Sequence, residues 1–233
     1  MKLTFKLLLA AFLSTSLYAS AQETEFFSTE HCPELFTFGI RAGVNASNHT
    51  FPSGVFNAWS VNSWGSGFDL GGVVTLNIRD YLAIQPGFFF ESRSGNYAYA
   101  ADYITLLNKK DTQYQLGHSR SYFFNIPVLA QARFNVSENF RWNVDLGPYF
   151  QFKLHASDGD QIVVLERAAD SNIYHQRIAS TNFFDFGFKM GTGLTYAGHY
   201  SFSIHYLAGM LDVWNYPKGG RNKAWTFTLG YDF

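Results

Sequence analysis

The chain has 233 residues, with 17 Lys and Arg against 18 Asp and Glu, so it offers no basic excess of the kind that nucleic-acid binding needs. A single cysteine, Cys32, excludes an intramolecular disulfide scaffold. Aromatic residues make up 19% and charged residues only 15%, with 20 glycines and a mean hydropathy of -0.10. An ordinary soluble domain is closer to a quarter charged, whereas a barrel in lipid turns apolar side chains outward and polar ones inward, which averages hydropathy away.

The chain opens with Lys2 and Lys6 ahead of an apolar run from Leu7 to Leu17, then Ala19-Ser20-Ala21. That layout reads residues 1–21 as a secretory signal peptide, with the mature chain starting at Gln22. Removing it leaves 15 basic and 18 acidic residues. The apolar run is shorter than the roughly 20 residues of a membrane-spanning helix, and no later stretch approaches that length. Residues 22–35 are expected to be an N-terminal periplasmic segment. Thr29-Glu30-His31 before Cys32 is polar, unlike the residues that precede a lipidated cysteine.

From Phe36 onward, apolar and polar residues alternate in eight separate runs, the signature of strands. Phe36 to Asn45 is the first. Phe68 to Arg79 sets Phe68, Leu70, Val74, Leu76 and Ile78 against Asp69, Thr75, Asn77 and Arg79. Leu82 to Arg93 sets Leu82, Ile84, Phe88 and Phe90 against Gln85, Glu91 and Arg93. Tyr122 to Asn135 and Phe140 to Lys153 follow, the latter with Trp142, Val144, Leu146 and Phe150 opposite Arg141, Asn143, Asp145 and Gln151. Phe184 to Tyr196, Tyr200 to Met210 and Trp225 to Phe233 complete the set. Each run meets the roughly 9 to 11 residues of a tilted membrane strand. The fold expected is therefore all-β, an eight-stranded antiparallel transmembrane β-barrel over residues 36–233.

The links alternate in length. Asp80-Tyr81, Val136 to Asn139 and Ala197-Gly198-His199 are tight, whereas Ala46 to Gly67, Ser94 to Ser121, Leu154 to Phe183 and Leu211 to Ala224 are long and polar. Outer-membrane barrels combine short periplasmic turns with long extracellular loops in this way. Aromatic belts then fall at both ends: Phe68, Phe90, Tyr122, Phe184 and Trp225 outside, and Tyr81, Phe134, Phe140, Trp142, Tyr196, Tyr200 and Phe233 at the periplasmic side. Pro86, Pro127 and Pro148 each remove a ladder donor, so bulges are expected there.

The inward parity collects Arg41, Asp69, Arg79, Glu91, Arg93, Arg133, Arg141, Asp145, Lys153, Asp185, Lys189 and Asp232. Eight strands enclose only enough room for side chains, so these groups are expected to fill the lumen as a paired polar network; open aqueous pores need about 16 strands. Ser203 and His205 suggest a nucleophile and base, but both have inward parity, away from lipid substrate, and no third member stands at nearby spacing. The other histidines, His31, His49, His118, His155, His175 and His199, lack metal-ligand spacing, and Asp158-Gly159-Asp160 lacks the later glutamate of a calcium loop. No catalytic role, cofactor or metal is expected.

The long loops hold aromatics, Trp59 and Trp64 in the first, Tyr99 in the second, and Trp214 and Tyr216 in the fourth. These are candidate binding residues for a protein partner, a glycan or lipopolysaccharide. Outer-membrane lipid would surround the barrel. At the C-terminus, Leu229, Tyr231 and Phe233 have the alternating apolar pattern with a terminal aromatic that resembles an assembly signal read by the barrel-assembly machinery.

Gly39-Ile40-Arg41-Ala42-Gly43-Val44-Asn45, Tyr122-Phe123-Phe124-Asn125-Ile126-Pro127-Val128-Leu129, Gly147-Pro148-Tyr149, Asp185-Phe186-Gly187 with Gly191 and Gly193, and the terminal Phe233 are similar to recurring motifs of one family. Over nearly the whole mature chain, the sequence resembles the PorT-like outer-membrane barrels of Bacteroidetes. The resemblance implies a barrel in the outer membrane of a Gram-negative bacterium and supplies no catalytic residues. The function expected is structural or interactive, the alternative being a narrow pore or a component of an export machine.

Overall fold

The computed structural model describes residues 26–29, 32–49, 61–104, 110–156, 161–167, 174–180, 182–215 and 218–233. The proposed signal peptide, Trp59 and Tyr216 lie outside these residues. In chain order the strands are β1 (Phe36–His49), β2 (Val61–Arg79), β3 (Leu82–Ile104), β4 (Lys110–Asn135), β5 (Phe140–Ala156), β6 (Gln161–Arg167), β7 (Tyr174–Ser180), β8 (Phe184–Tyr196), β9 (Tyr200–Gly209), β10 (Trp214–Asn215), β11 (Lys218–Gly219) and β12 (Asn222–Asp232). Eight of them close an antiparallel barrel in the order β1-β12-β9-β8-β5-β4-β3-β2, while β6 with β7 and β10 with β11 are separate hairpins. The seam is β1 against β12, in register from Gly39↔Asp232 to His49↔Asn222. Closure removes every free edge, so no row of backbone donors faces lipid.

One end of the barrel carries the tight turns and the other the long connections. At the turn end, Ala197 and Gly198 both have positive φ, 51° and 75°, and His199 N donates to Tyr196 O at 3.1 Å. Two left-handed residues in succession suit the right-handed twist of the flanking strands, and glycine supplies the second without strain. Between β4 and β5, Val136 N donates to Phe140 O at 2.9 Å.

Parity places the greasy side chains outside. Ile40, Val44, Leu70, Phe88, Trp142, Leu146 and Leu229 are exposed, and Phe186 lies against the outward Phe150 at 5.3 Å. The outward rings meet across strands at both ends: Phe68, Phe90 and Tyr122 at the loop end, and Phe134 with Trp142 and Phe140 with Tyr196 at the turn end. Even the polar atoms on this surface are matched locally. Trp142 Nε1 donates to Thr192 Oγ1 at 2.6 Å, and that hydroxyl donates to Asn143 O at 2.8 Å.

Two features depart from the sequence expectations. The bulges are not at the prolines. Register holds across them, with Pro86 opposite Val128, Pro127 opposite Tyr149 and Pro148 opposite Phe188. Beside Pro86 the β2–β3 pairing lapses between Val73↔Gly87 and Leu76↔Ile84, and Gln85 Nε2 bridges the gap to Thr75 Oγ1 at 2.8 Å. The shifts fall instead between Trp64 and Phe68, Asn77 and Arg79, and Tyr122 and Phe123. The second of these sets Arg79 opposite Leu82, which moves it from the lumen parity to the lipid parity.

The stretches read as loops are also largely strand. β3 and β4 stay paired from Leu82↔Ala132 to Ile104↔Lys110, whereas β5 leaves β4 at Ser121↔Ala156. The β3–β4 hairpin thus runs about 35 Å beyond Arg93, joined at its base by β2 from Val61↔Ala98 to Trp64↔Gly95. Tyr99, taken as a loop residue, is in β3 opposite Gln115, and Trp214 is in β10. Alternating side chains with satisfied ladders suit water as well as lipid, so pairing continues where the bilayer stops.

Ahead of β1, the described residues pack against the barrel. Residues 26–29 and 32–35 lie on the turn end. Asn135 N donates to Phe26 O at 3.1 Å and Asn77 N to Leu35 O at 2.8 Å, while Phe26 and Phe27 stack on Phe134 and Tyr81. The segment wraps the Asp80-Tyr81 turn, with its phenylalanines on the outside and Cys32 on the lumen side.

Because the outer face is solvated by hydrocarbon, its tolerance of charge depends on depth. Leu146→Arg, at the middle of β5, is expected to destabilise the barrel by about 2–4 kcal/mol and Leu154→Arg, near the loop end, by about 0–1 kcal/mol. Urea unfolding from lipid vesicles measures both; equal costs would contradict the membrane placement.

Candidate functional site

The inward face of the eight strands builds three levels. At the turn end lies a cavity of about 330 Å³, bounded by Cys32, Arg41, Arg133, Arg141 and Asp232 at its mouth and by Phe89, Lys189 and His205 at its roof. Arg41 Nη2 donates to both oxygens of Asp232, at 2.7 and 3.0 Å. Gly39 and Gly230 make room for this pair: a Cβ on Gly39 would stand 2.1 Å from Asp232 Oδ1, and one on Gly230 would stand 2.3 Å from Arg41 Cδ. Arg141 Nη2 donates to Asp80 Oδ1 at 3.0 Å. Arg133 is held by neutral oxygens, Gln131 Oε1 and Asn77 Oδ1, both at 2.7 Å. Cys32 Sγ lies 3.9 Å from Asp80 Oδ1, and burial, with the nearby Asp80 carboxylate, pushes its thiol above the ordinary value.

The second level is the roof. Asp145 accepts from Gln131 Nε2 at 2.9 Å through one oxygen and meets His205 Nε2 at 2.9 Å through the other. Lys189 is buried with its ammonium 5.1 Å from the centre of the Phe89 ring. Asp69 accepts two long hydrogen bonds, from Asn45 Nδ2 and Thr228 Oγ1, both 3.3 Å.

Above it the lumen is closed. Glu91 Oε2 accepts from Arg93 Nε and Nη2 at 3.0 and 2.6 Å, and its other oxygen accepts from Asn125 Nδ2 at 2.6 Å. Arg93 Nη1 donates to Gln151 Oε1 at 3.1 Å, and its guanidinium lies 5.6 Å from the centre of the Phe123 ring. Beside it Tyr149 Oη donates to Asp185 Oδ2 at 3.0 Å, and Asn222 Nδ2 donates to the same oxygen at 2.8 Å. Tyr149, Leu207 and Ala224 form a cluster that is 0% exposed, so apolar bulk as well as charge seals this level.

The sequence-singled lumen residues thus do not form one ionic network. Arg41 with Asp232 and Glu91 with Arg93 are direct ion pairs. Arg141 and Asp145 pair with Asp80 and His205, which were not placed among them. Asp69, Arg133 and Asp185 are held by neutral groups, and Lys189 by a ring. Lys153 sits half-buried at the loop end, where its N–H donates to Phe183 O at 2.7 Å. The interior holds apolar side chains beside the polar ones: Val73, Phe89, Phe123, Leu129, Tyr149 and Leu207 are buried inside. Their signal was available: each is apolar on the polar parity of its strand.

Leu229 and Phe233 are exposed on the outer face, and Tyr231 packs there with His199, Tyr200 and Phe233. Phe233 N donates to Phe38 O at 2.9 Å, which ties the last residue to β1. Trp64 is exposed on β2. Ser203 and His205 both line the cavity, on the wall away from lipid.

The closed level yields a direct test. Glu91→Gln leaves Arg93 buried without an anion and is expected to cost about 3–5 kcal/mol, whereas neutralising both, as Glu91→Gln with Arg93→Met, recovers most of the loss. Equilibrium unfolding of the three proteins measures this. An equal cost for the single and double variants would show that the pair does not act as a unit.

The family comparison agrees with this architecture. Residues 20–215 match the family model described as outer membrane protein beta-barrel domain. Among solved structures, Ail, the attachment invasion locus protein of Yersinia pestis, in complex with the heparin analogue sucrose octasulfate, is 14% identical over 86% of this chain and 100% of that one, with a TM-score of 0.40. Neisserial surface protein A is 12% identical over 84% and 97%, with a TM-score of 0.43. OprG from Pseudomonas aeruginosa is 13% identical over 88% and 98%, with a TM-score of 0.40. No curated protein matches the chain. With its family model spanning most of the sequence and its eight strands closed around a filled lumen, the chain belongs to the outer membrane protein β-barrel domain family and is a protein of the bacterial outer membrane.

Proposed function

We propose that this protein is a non-catalytic barrel that acts outside the bilayer, through the β-sheet and loops at its extracellular end, on a protein or glycan partner. The observation that carries the reading is the β3–β4 hairpin. It continues as a paired ladder to Ile104↔Lys110, far past the last β4–β5 pair at Ser121↔Ala156, whereas membrane crossing alone needs about 9 to 11 residues per strand. Extended surface is built where a partner would be met, while the lumen is sealed at Glu91, Arg93, Tyr149 and Leu207. Against catalysis, Ser203 and His205 both face the lumen, away from lipid. Trp59, Trp64, Tyr99, Trp214 and Tyr216 are the aromatics we assign to the binding surface.

The finer affiliation we propose is with the PorT-like barrels of Bacteroidetes, on the motifs from Gly39 to Asn45 and from Tyr122 to Leu129. Residues 1–21 are taken as a cleaved signal peptide. Insertion by the barrel-assembly machinery is assigned to Leu229, Tyr231 and Phe233. Deleting Phe233 is expected to lower the amount of heat-modifiable barrel on semi-native gels without changing export across the inner membrane; an unchanged band would remove the assignment.

The second reading, a narrow pore or an export component, is favoured by the cavity of about 330 Å³, which reaches from the periplasmic mouth to Lys189. Planar-bilayer recording separates the two. The closed-lumen reading expects no sustained conductance from the purified barrel and a gain of conductance in Tyr149→Gly with Leu207→Gly; steady current through the unaltered protein would overturn it.

A further inference from the structure

Not every cation in the turn-end cavity touches a carboxylate. Of the acids that line it, Asp80 is bonded to Arg141, Asp232 to Arg41, and Asp145 to His205 and Gln131, while Glu34 and Glu138 are exposed at its rim. Arg133 and Lys189 are held differently. Arg133, at the mouth, donates from Nε and Nη1 to the amide oxygens of Gln131 and Asn77, which uses two of the five N–H donors of a guanidinium. Asp80 and Asp232 act on it from a distance. Lys189, at the roof, is 4% exposed, and its ammonium faces the Phe89 ring at 5.1 Å. Asp69, Glu91 and Asp145 act on it from a distance, each bonded to other side chains. Among the described residues, no carboxylate oxygen lies within 4.0 Å of either cation. A cation screened from bulk water needs polar or anionic groups in place of its hydration, so both side chains are suited to an acceptor that the fold does not itself bring into contact.

The two cations stand at different heights. Ala130 pairs with Leu146 and Gly147 pairs with Lys189, which sets Lys189 near the level of Leu129, four residues along β4 from Arg133. Four residues span roughly 13 Å of strand, and the two long side chains shorten the gap between their charges. Between these levels one wall is apolar, because Val73, Phe89 and Leu129 are buried and line the cavity. A Cβ on Gly71 or Gly87 would stand 2.6 or 2.7 Å from carbons of the Phe89 ring, so the ring rests against that wall. With a cation at each end, an apolar side and a volume of about 330 Å³, the cavity falls at the small end of the range for ligand pockets.

We propose that this cavity binds a small aliphatic dicarboxylate from the periplasm, one carboxylate on Arg133 and the other on Lys189, with the chain against Val73, Phe89 and Leu129. The pocket is blind, because the level of Glu91 and Arg93 closes the lumen above it. It lies at the opposite end of the barrel from the surface assigned to a protein or glycan partner and goes beyond that assignment.

The test uses the full protein in lipid nanodiscs, dialysed to equilibrium against labelled suberate, its monoamide and its diamide, which share one length and differ in charge. A hydrogen bond between charged groups changes affinity by about tenfold or more, so the unaltered barrel is expected to hold suberate about tenfold better than the monoamide, and the monoamide better than the diamide. Arg133→Gln should lower suberate affinity about tenfold and leave diamide binding unchanged, and Lys189→Met should do the same from the other end. Ser203→Phe, which adds bulk inside the cavity and keeps both cations, should abolish binding of all three. Equal retention of suberate and diamide by the unaltered barrel overturns the proposal, and this arm needs no variant. Full suberate affinity in heat-modifiable Arg133→Gln also overturns it, as does full affinity in Ser203→Phe, which would place the site elsewhere. Displacement of suberate by an equal concentration of inorganic phosphate overturns it too, since that marks a site for bare anions. Each of these results leaves the reading of the extracellular surface untouched, because that surface is absent from the measurement.

Discussion

Everything in this molecule depends on the hydrogen-bonded seam between β1 and β12. Backbone amides and carbonyls cannot be left unpaired in hydrocarbon, so a sheet of this sequence is stable in a membrane only if its first and last strands meet. The eleven residue pairs from Gly39↔Asp232 to His49↔Asn222 achieve that, and the bond from Phe233 N to Phe38 O carries the seam to the final residue. The Arg41–Asp232 ion pair spans the same seam from within, in a space that exists because Gly39 and Gly230 lack side chains. Closure, register and interior charge are therefore settled at one place.

A ring of eight strands leaves an interior that side chains can fill, and here the filling is uneven. Ion pairs, amide bridges and hydroxyls line the periplasmic half around an open cavity, while the level of Glu91 and Arg93 is packed against Phe123, Tyr149 and Leu207. Burying an ion pair among rings is stable only when the remaining donors and acceptors are met, and Asn125 and Gln151 meet them. The barrier across the lumen is thus partly greasy and partly ionic.

Much of this could be read directly from the order of residues. Alternation with a period of two located all eight barrel strands, their outward faces and their tight turns, because lipid on one side and a polar lumen on the other impose the same rule at every position. It did not reveal which inward groups pair, since Asp80, His205, Gln131 and Asn77 become neighbours of the predicted charges only once the strands are staggered around the ring. Phe89 and Tyr149 were legible as breaks in parity, yet their meaning as a seal needs the lumen's width. Pro86, Pro127 and Pro148 suggested bulges because each lacks a donor, but the ladder instead skips a pairing and keeps its register. The docking of Phe26 and Phe27 on Phe134 and Tyr81 left no trace in local pattern, because it is a contact between segments distant in the chain.

The length of β3 and β4 gives one continuous strand two different surroundings. Below Arg93 its amides are shielded by the barrel wall and by lipid, and they open only when the whole ring opens. Beyond it, the same ladder stands in water with one or two neighbours, free to fray from the tip at Ile104 and Lys110. Amide hydrogen exchange along a single strand should therefore change from slow, global protection to fast, local opening within a few residues, and that step would mark the height of the outer leaflet on the protein itself.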